Sequence, residues 1–430
     1  MKKTLSCLLV LLFICVCGCS AQESPNTYVE GSDFQYMEVG GGTLNAAVQQ
    51  VGKDCYMICK GYLYYMDQAT GTMLPLCNKA DCLHDKEPPL PDTCLAAEGL
   101  DRLDKCNACV DIYAEINLGI AYSDGYLYCL NPSVLNKDSS STPALFRCTM
   151  DGSKKEIVYR WDNNVTISSW LIHRGELYYI EETYILQENA DVKKIYTLCA
   201  LSLKGTMQSS KVIYTPDEAL TVQNLDGIRA YGNHLYFNMI AYAPGDDVLS
   251  EENFMEYMHN KTFVYDTASQ QLGEVRPEGM SKYESVQSIA FWQDQIVFNI
   301  HDFSDPGKET LTLYTAGLDG SNVRVLMENA PRQYACDGQY LYLNNLLAAY
   351  RKGENGIFWA YDSTMKLVDT FQLPYDSYGG YGRAIGGYPQ AYVPIFLPWD
   401  AEQSWSLAHW DKSKIGTYNG EMIEVEYIVR

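Results

Sequence analysis

A short motif recurs along the chain and constrains the fold more than any other feature of the sequence. Each copy begins with a hydrophobic residue, which ends a segment of alternating apolar and polar residues. A charged residue and then a small or polar turn-forming residue come next. The copies are Met66-Asp67-Gln68, Met150-Asp151-Gly152, Leu203-Lys204-Gly205, Tyr265-Asp266-Thr267, Leu318-Asp319-Gly320, Tyr361-Asp362-Ser363 and Trp410-Asp411-Lys412. Alternating, β-rich residues on both sides predict that each copy is the turn of a β-hairpin.

A second hairpin precedes most copies of the motif. Examples are Ile120 to Leu130 around Asp124-Gly125, Trp170 to Ile180 around Arg174-Gly175, and Ile228 to Phe237 around Gly232-Asn233. Four antiparallel strands per repeat predict an all-β propeller, whose radial closure protects the sheet edges. A β-sandwich would show no such fixed period. Seven blades are favoured over six or eight, with residues 33–39 or 422–429 completing a terminal blade.

The N-terminal segment has the pattern of an export signal. Lys2 and Lys3 precede an apolar run that is too short to span a bilayer. The run ends in Val16-Cys17-Gly18-Cys19, which resembles the bacterial lipobox. We therefore predict a signal peptide over 1–18, a lipidated tether over 19–33 and a single propeller domain over 34–430. The alternative is an ordinary signal cleaved near Ala21, with Cys19 discarded.

Lipidation of Cys19 by palmitate-type acyl chains would place the protein on the extracytoplasmic face of the bacterial cell membrane. The formal net charge of −22 excludes nucleic acid as a partner, because binding phosphates needs clustered Lys and Arg. The same charge opposes adsorption to anionic lipid. Contact with the membrane is therefore expected through the N-terminal lipid alone.

A cysteine-rich loop over 77–109 has two competing interpretations. Cys77, Cys82, His84 and Cys94 form a potential Cys3His set for structural Zn²⁺. Disulfides that staple a long exported loop are slightly favoured, and free thiols are a third alternative. Cys106 and Cys109 could join either scheme. Four other cysteines, on predicted strands, are expected in the core: Cys129, Cys148, Cys199 and Cys336.

The aligned repeats resemble the TolB-like and YWTD-type propellers, and most closely the propeller lipoproteins of gut Clostridia. The more specific resemblance is in Pro75 to Asp85 with Cys94, which is similar to a first-blade Cys-x4-Cys-x-His-Asp loop of that group. Ala80 stands where proline is usual. The resemblance implies a fold and a location more than an activity.

Long insertions are expected at one end of the propeller, after the second strand of a blade or between blades. The most distinctive insertion lies within 374–399, where aromatic residues alternate with glycines and could stack on sugar rings or peptide side chains. The candidate ligand-binding residues there are Tyr375, Tyr378, Tyr381, Tyr388 and Trp399.

Catalytic motifs are lacking from the sequence. It has no sialidase Ser-x-Asp-x-Gly-x-x-Trp repeat, no Gly-x-Ser-x-Gly elbow and no His-Glu-x-x-His helix. We therefore expect a binding or interaction module for a glycan, peptide or protein partner, with no catalytic residues. The alternatives are a carbohydrate-active enzyme with carboxylates at the channel mouth, and a structural or sensory envelope component.

Overall fold

The structure is a computed structural model that describes Thr27, Val29, Asp33, Met37, Glu38 and residues 48–423 with interruptions. The interruptions fall at 52–53, 60, 68–71, 83, 85–101, 112–118, 137–139, 187–191, 206–209, 243–257, 282–283, 303–309, 332, 337–338, 375–382, 387–391 and 398–405. Among the residues described, no helix has the length and apolar character needed to cross a membrane.

The strands follow one another in groups of four. After β1 (Met37–Glu38), the first three blades are built from β2 (Val48–Val51), β3 (Asp54–Cys59), β4 (Tyr62–Asp67), β5 (Thr72–Pro75); β6 (Ile120–Ser123), β7 (Tyr126–Leu135), β8 (Ser141–Thr149), β9 (Lys155–Arg160); β10 (Val165–His173), β11 (Glu176–Leu186), β12 (Val192–Ser202) and β13 (Lys211–Tyr214). Each group forms one antiparallel sheet in sequence order.

The next three blades repeat this arrangement. They are built from β14 (Thr221–Tyr231), β15 (His234–Tyr242), β16 (Met258–Asp266), β17 (Gln271–Glu274); β18 (Glu284–Trp292), β19 (Gln295–Asp302), β20 (Thr310–Gly317), β21 (Arg324–Pro331); β22 (Gln333–Cys336), β23 (Leu341–Asn344), β24 (Gly356–Tyr361) and β25 (Leu367–Leu373). A short helix, α1 (Leu346–Lys352), lies between β23 and β24. The predicted all-β propeller of four-stranded antiparallel blades is confirmed.

The favoured count of seven blades is wrong, because six blades are complete. Among the described residues, the seventh repeat supplies three strands: β26 (Arg383–Gly386), β27 (Tyr392–Leu397) and β28 (Ser406–Asp411). Its motif, Trp410-Asp411-Lys412, ends β28 and runs into a 3-10 turn, Lys412–Lys414, instead of a fourth strand. The fourth strand of this sheet comes from outside the repeat: it is β1, which pairs with the other edge of β26 through Met37 and Gly386.

The two ends of the chain therefore have different roles in closing the ring. The N-terminal strand β1 lies within the predicted segment 33–39 and joins the incomplete sheet. The C-terminal segment instead joins the outer edge of blade 6, where Met422 pairs in parallel with Gln372 of β25. The carboxylate of Asp369 fixes this segment by accepting hydrogen bonds from the backbone N–H groups of Gly416, Tyr418 and Asn419.

The Asp of the repeated motif has a local structural role. In the turns after β8, β16, β20 and β24, its Oδ1 accepts the backbone N–H two residues further on, at 2.8 to 3.0 Å. These Asx turns reverse the chain without help from distant residues. The first turns of blades 2, 3 and 5 contain positive φ angles, as predicted, at Asp124-Gly125, Arg174-Gly175 and Asp294.

The meander gives each blade two ends. The end formed by the first-to-second and third-to-fourth turns is called the turn end, and the opposite end is called the loop end. First strands of neighbouring blades lie beside one another around the centre. Between the blades pack large buried side chains such as Tyr179, Tyr236 and Phe298. The predicted core cysteines, Cys129, Cys148, Cys199 and Cys336, are buried on strands, which confirms their position.

Candidate metal centre

The segment that follows β5 leaves blade 1 and then returns to the same blade, where it pairs with the start of β4. Leu76 donates its N–H to the carbonyl of Leu63 in β4, and Leu63 donates its own to the carbonyl of Ala108. Val110 then donates to the carbonyl of Gly61. The two ends of the predicted cysteine-rich loop are thus held side by side on β4.

Two glycines permit this close approach. Gly61 has a φ of +77°, and a Cβ there would lie 2.1 Å from the carbonyl oxygen of Asp111. Gly152, in the turn between β8 and β9, has a φ of +67°, and its Cβ would lie 2.7 Å from the backbone of Leu76. The loop therefore packs against a turn of blade 2 as well as against blade 1. This differs from the expectation that it projects only from the loop end.

Four side chains from this loop converge on one point. The ligand atoms of Cys77, Cys82, His84 and Cys106 all lie within 4.8 Å of one another. Ligand atoms of a tetrahedral zinc site with Zn–S bonds of about 2.3 Å are separated by about 3.8 Å. Small side-chain adjustments would therefore complete the tetrahedron.

Each ligand is placed by its local backbone. Cys82 donates its N–H to the carbonyl of Lys79 in a tight turn, and Cys106 follows a helical turn over 102–105 by donating to the carbonyl of Arg102. His84 occupies the left-handed region with a φ of +54°. Its Nδ1 lies 3.9 Å from the sulfur of Cys106. Three separate stretches of backbone therefore bring the four ligand side chains to one point.

The sulfur atoms are in contrasting electrostatic environments. Burial acts to raise the pKa of Cys77, but hydrogen bonds from the backbone of Lys79, Asn107 and Ala108 and from the Cys82 thiol bring it below its ordinary value. Burial, together with Cys82, raises the pKa of Cys106 to about 12. Backbone donors to a sulfur are the outer contacts that orient a thiolate ligand. A divalent cation would stabilise the remaining thiolates.

A half-buried lysine from the next blade holds the loop in place. Lys155, at the start of β9, donates its ammonium group to the carbonyls of Leu103, Cys106 and Cys109, the second at 2.8 Å. Asn107 adds hydrogen bonds to the carbonyls of Gly152 and Ser153. Three thiolates and one Zn²⁺ carry a net negative charge, which the nearby ammonium group would offset.

Three of the predicted ligands, Cys77, Cys82 and His84, and the further candidate Cys106 form the cluster among the described residues. Cys94 falls outside the described residues, so its predicted role stays a prediction. Cys109 is not part of this cluster, and its thiol donates instead to the carbonyl of Asp111. Cys77, Cys82, Cys106 and Cys109 carry free thiols in the structure. The described cysteines of this cluster form no disulfide with one another, and their arrangement with His84 is compatible with the metal alternative.

The donor set indicates what a bound ion would do. Three sulfurs and one imidazole nitrogen suit Zn²⁺, and four protein ligands leave no open position for substrate or water. The residues present thus fit a structural ion that would join the two arms of the loop. The remaining predicted site residues, Cys19, Tyr375, Tyr378, Tyr381, Tyr388 and Trp399, lie outside the described part of the chain.

We expect the substitution Lys155→Met to weaken zinc binding by about 10- to 100-fold, the range for contacts that orient metal ligands. Removing the ammonium group takes away the donor that the carbonyls of Leu103, Cys106 and Cys109 share. Competition with a chromogenic chelator measures the affinity. The matched control is Lys154→Met, whose exposed side chain pairs with Glu156 and does not contact the loop. Equal affinities in the two variants would contradict the role of Lys155.

Comparisons with known proteins find distant structural similarity and no matching family. No protein-family model matches the chain, and no similar sequence is found among curated proteins. Similar solved structures include an acylaminoacyl peptidase from Pyrococcus horikoshii, with 13% identity, a TM-score of 0.44 and coverage of 68% of this chain and 44% of that one. The chain thus spans less than half the length of that peptidase.

TolB-like and other propellers are among the similar structures. A protein described as TolB from Agrobacterium tumefaciens has 11% identity and a TM-score of 0.36, covering 70% of this chain and 93% of that one. The β-propeller domain of the Trilobed protease from Pyrococcus furiosus has 12% identity and a TM-score of 0.43, covering 73% and 85%. At these levels the likeness says nothing about activity.

Proposed function

We propose that this protein is a lipid-anchored, extracytoplasmic binding module that presents the loop end of its propeller to a glycan, peptide or protein partner. The observation that carries this proposal is the concentration of long connections at the loop end. They include the cysteine-rich segment 76–119, which joins blades 1 and 2, the connection 243–257 between β15 and β16, and the connection 345–355 with α1. Loops held on a rigid scaffold are where binding usually resides.

Two hairpins extend the loop end further. The predicted insertions after β7 and β11 are partly strand, so that β7 and β8 pair as far as Leu135 and Ser141. In the longer hairpin, β11 and β12 pair as far as Leu186 and Val192. Paired strands therefore occupy part of the segments where loops were expected.

The longer hairpin carries an exposed apolar surface near its tip. Tyr184, Ile185 and Leu186 are 41, 46 and 72% exposed. Lys194 lies 5.5 Å from the centre of the Tyr184 ring and pairs with Glu182 at 2.9 Å. Exposed apolar and aromatic side chains that are bordered by charged ones are typical of protein-binding surfaces, and the tip of this hairpin has that composition. Tyr375, Tyr378 and Tyr381 belong to the same proposal, because they fall in sequence between β25 and β26.

A binding screen with a matched pair of variants tests the function. The chain from residue 20 onward is applied to glycan and peptide arrays, and Leu186→Asp is expected to weaken binding by at least about 10-fold, as for a contact residue. The control is Val325→Asp, which changes another exposed apolar side chain (52% exposed, against 72% for Leu186) on outer strand β21. Equal losses in both variants, or no binding across the arrays, would contradict the proposal. Turnover of a bound glycan would favour the enzyme alternative instead.

A further inference from the structure

The last part of the predicted tether is bound to the propeller. The side chain of Asp33 is fully buried, and its two carboxylate oxygens accept hydrogen bonds of 2.8 Å from Nε and Nη2 of Arg174. Arg174 Nη2 also donates to the carbonyl of Thr27 at 2.9 Å. Val29 and Asp33 close a turn. The N–H of Val29 donates to the carboxylate of Asp33, and the N–H of Asp33 donates to the carbonyl of Val29. The paired charges fix Thr27 as well as Asp33.

This attachment lies at the turn end of the propeller. Arg174 belongs to the first turn of blade 3, between β10 and β11. Its Nη1 donates at 2.8 Å to Asn233, which belongs to the corresponding turn of blade 4. A second attachment lies at the same end, where Met37 of β1 pairs with Gly386, the last residue of β26. The N-terminal segment is therefore held at the turn end on both sides of the ring.

We propose that the chain emerges from the turn end, so that a lipid on Cys19 holds this end toward the membrane and the loop end away from it. The inference rests on the proposed anchoring at Cys19. It adds to the proposed function by stating which surface a partner in the surrounding medium can reach.

The short reach of the tether supports this orientation. Between Cys19 and Thr27 the chain has about eight peptide units, which extend to roughly 28 Å at most and average about 16 Å when flexible. Strands such as β10, with 9 residues, separate the two ends of the propeller by about 30 Å. A lipid attached at the turn end thus cannot readily bring the loop end to the same bilayer.

Charge keeps the turn end from lying flat on the lipid. The Asx turns place Asp151, Asp266, Asp319 and Asp362 at this end. Carboxylates repel anionic headgroups over about one Debye length, roughly 8 Å at physiological ionic strength. The tether is longer than this distance. The turn end is therefore expected to face the bilayer across a thin layer of water.

Antibody access to two inserted epitopes tests the orientation. One epitope is placed in the turn 362–366 at the turn end and the other in the connection 303–309 at the loop end, each in the full lipidated chain. On vesicles of phosphatidylethanolamine and phosphatidylglycerol, Fab binding to the turn-end epitope is expected to fall at least about 10-fold relative to detergent solution, because the bilayer blocks approach. Binding to the loop-end epitope should remain unchanged. Equal access to both epitopes on vesicles would overturn the proposal.

Releasing the attachment should restore access. Arg174→Asn removes the guanidinium group while tolerating the positive φ of this position, 52°. A chain freed as far as Met37 has about 18 peptide units, or roughly 60 Å when extended, and the turn-end epitope should again bind Fab. The control Glu156→Gln breaks a partly exposed ion pair with Arg147 in blade 2 and should change nothing. No gain of access in Arg174→Asn would contradict the role of this attachment.

The anchoring is assessed separately by flotation with the vesicles. Cys19→Ser should abolish flotation of the chain. If the unsubstituted chain also fails to float, the anchoring is wrong and the orientation fails with it. If the chain floats and both epitopes bind equally, only the orientation is wrong.

Discussion

Replacing Cys106 with serine is expected to lower the zinc content of the purified chain from about one ion per molecule to less than about a tenth. The serine hydroxyl is a far weaker ligand than a thiolate, and Cys77, Cys82 and His84 alone leave the tetrahedron open. At free zinc about 1,000-fold above the Kd, loss of the ion costs roughly 4 kcal/mol of stability. Elemental analysis and thermal unfolding measure the two effects.

Two controls make the ligand assignment specific. Cys94→Ser should retain the ion, since Cys77, Cys82, His84 and Cys106 already supply four ligand atoms. Cys199→Ala changes a buried cysteine of blade 3 and should also retain it. Zinc that is lost from Cys94→Ser but kept by Cys106→Ser would contradict the assignment. An unsubstituted chain without zinc after growth in zinc-supplemented medium would contradict the metal centre itself.

Replacing Asp33 with asparagine is expected to detach the N-terminal segment. Removing one partner of a buried ion pair costs about 3 to 5 kcal/mol, because the other charge remains buried without compensation. The N-terminal segment can avoid this cost by detaching from the propeller. The loss of stability is then limited to the free energy with which the segment binds, and the six blades should remain folded. At about 3 kcal/mol, proteolytic cleavage before Met37 should accelerate roughly 150-fold.

Coupling between the partners is the decisive feature. If Asp33 acts through Arg174, then Asp33→Asn, Arg174→Asn and the double variant should accelerate cleavage to a similar extent. Glu156→Gln, which removes a partly exposed surface pair, should stay within about twofold of the unsubstituted chain, since such pairs contribute little. Additive effects of the two substitutions would show that the ion pair does not hold the segment.

The blade count shows how far a local pattern can be extended. The first six copies of the motif predict third-to-fourth strand turns correctly, including Leu203-Lys204-Gly205, which lacks the aspartate. The copy at Trp410 has the same local sequence, but the residues described after it form no fourth strand. The carboxylate of Asp369, about 50 residues earlier in the chain, holds residues 416–419 at the edge of β25 instead. The sequence near Trp410 contains no feature that predicts this contact.

The cysteine-rich loop shows the same limit. Spacing identifies Cys77, Cys82 and His84, because ligands on one short turn are close together in any fold. The fourth ligand depends on how the return arm of the loop is held, and Lys155 of the next blade holds it. The sequence likewise predicts that Asp33 is the polar end of a tether. In the structure it pairs with Arg174, 141 positions away.

Sequence alone determined the features of this protein that depend on neighbouring residues: the alternating strands, the Asx and positive-φ turns, and hence the four-stranded blades. The physical reason is that backbone sterics and side-chain-to-backbone hydrogen bonds act over two to four residues. Tertiary structure decided the six complete blades, the placement of Cys106 and the docking of the N-terminal segment at the turn end. Those depend on buried hydrogen bonds and ion pairs between residues that only the closed ring brings together.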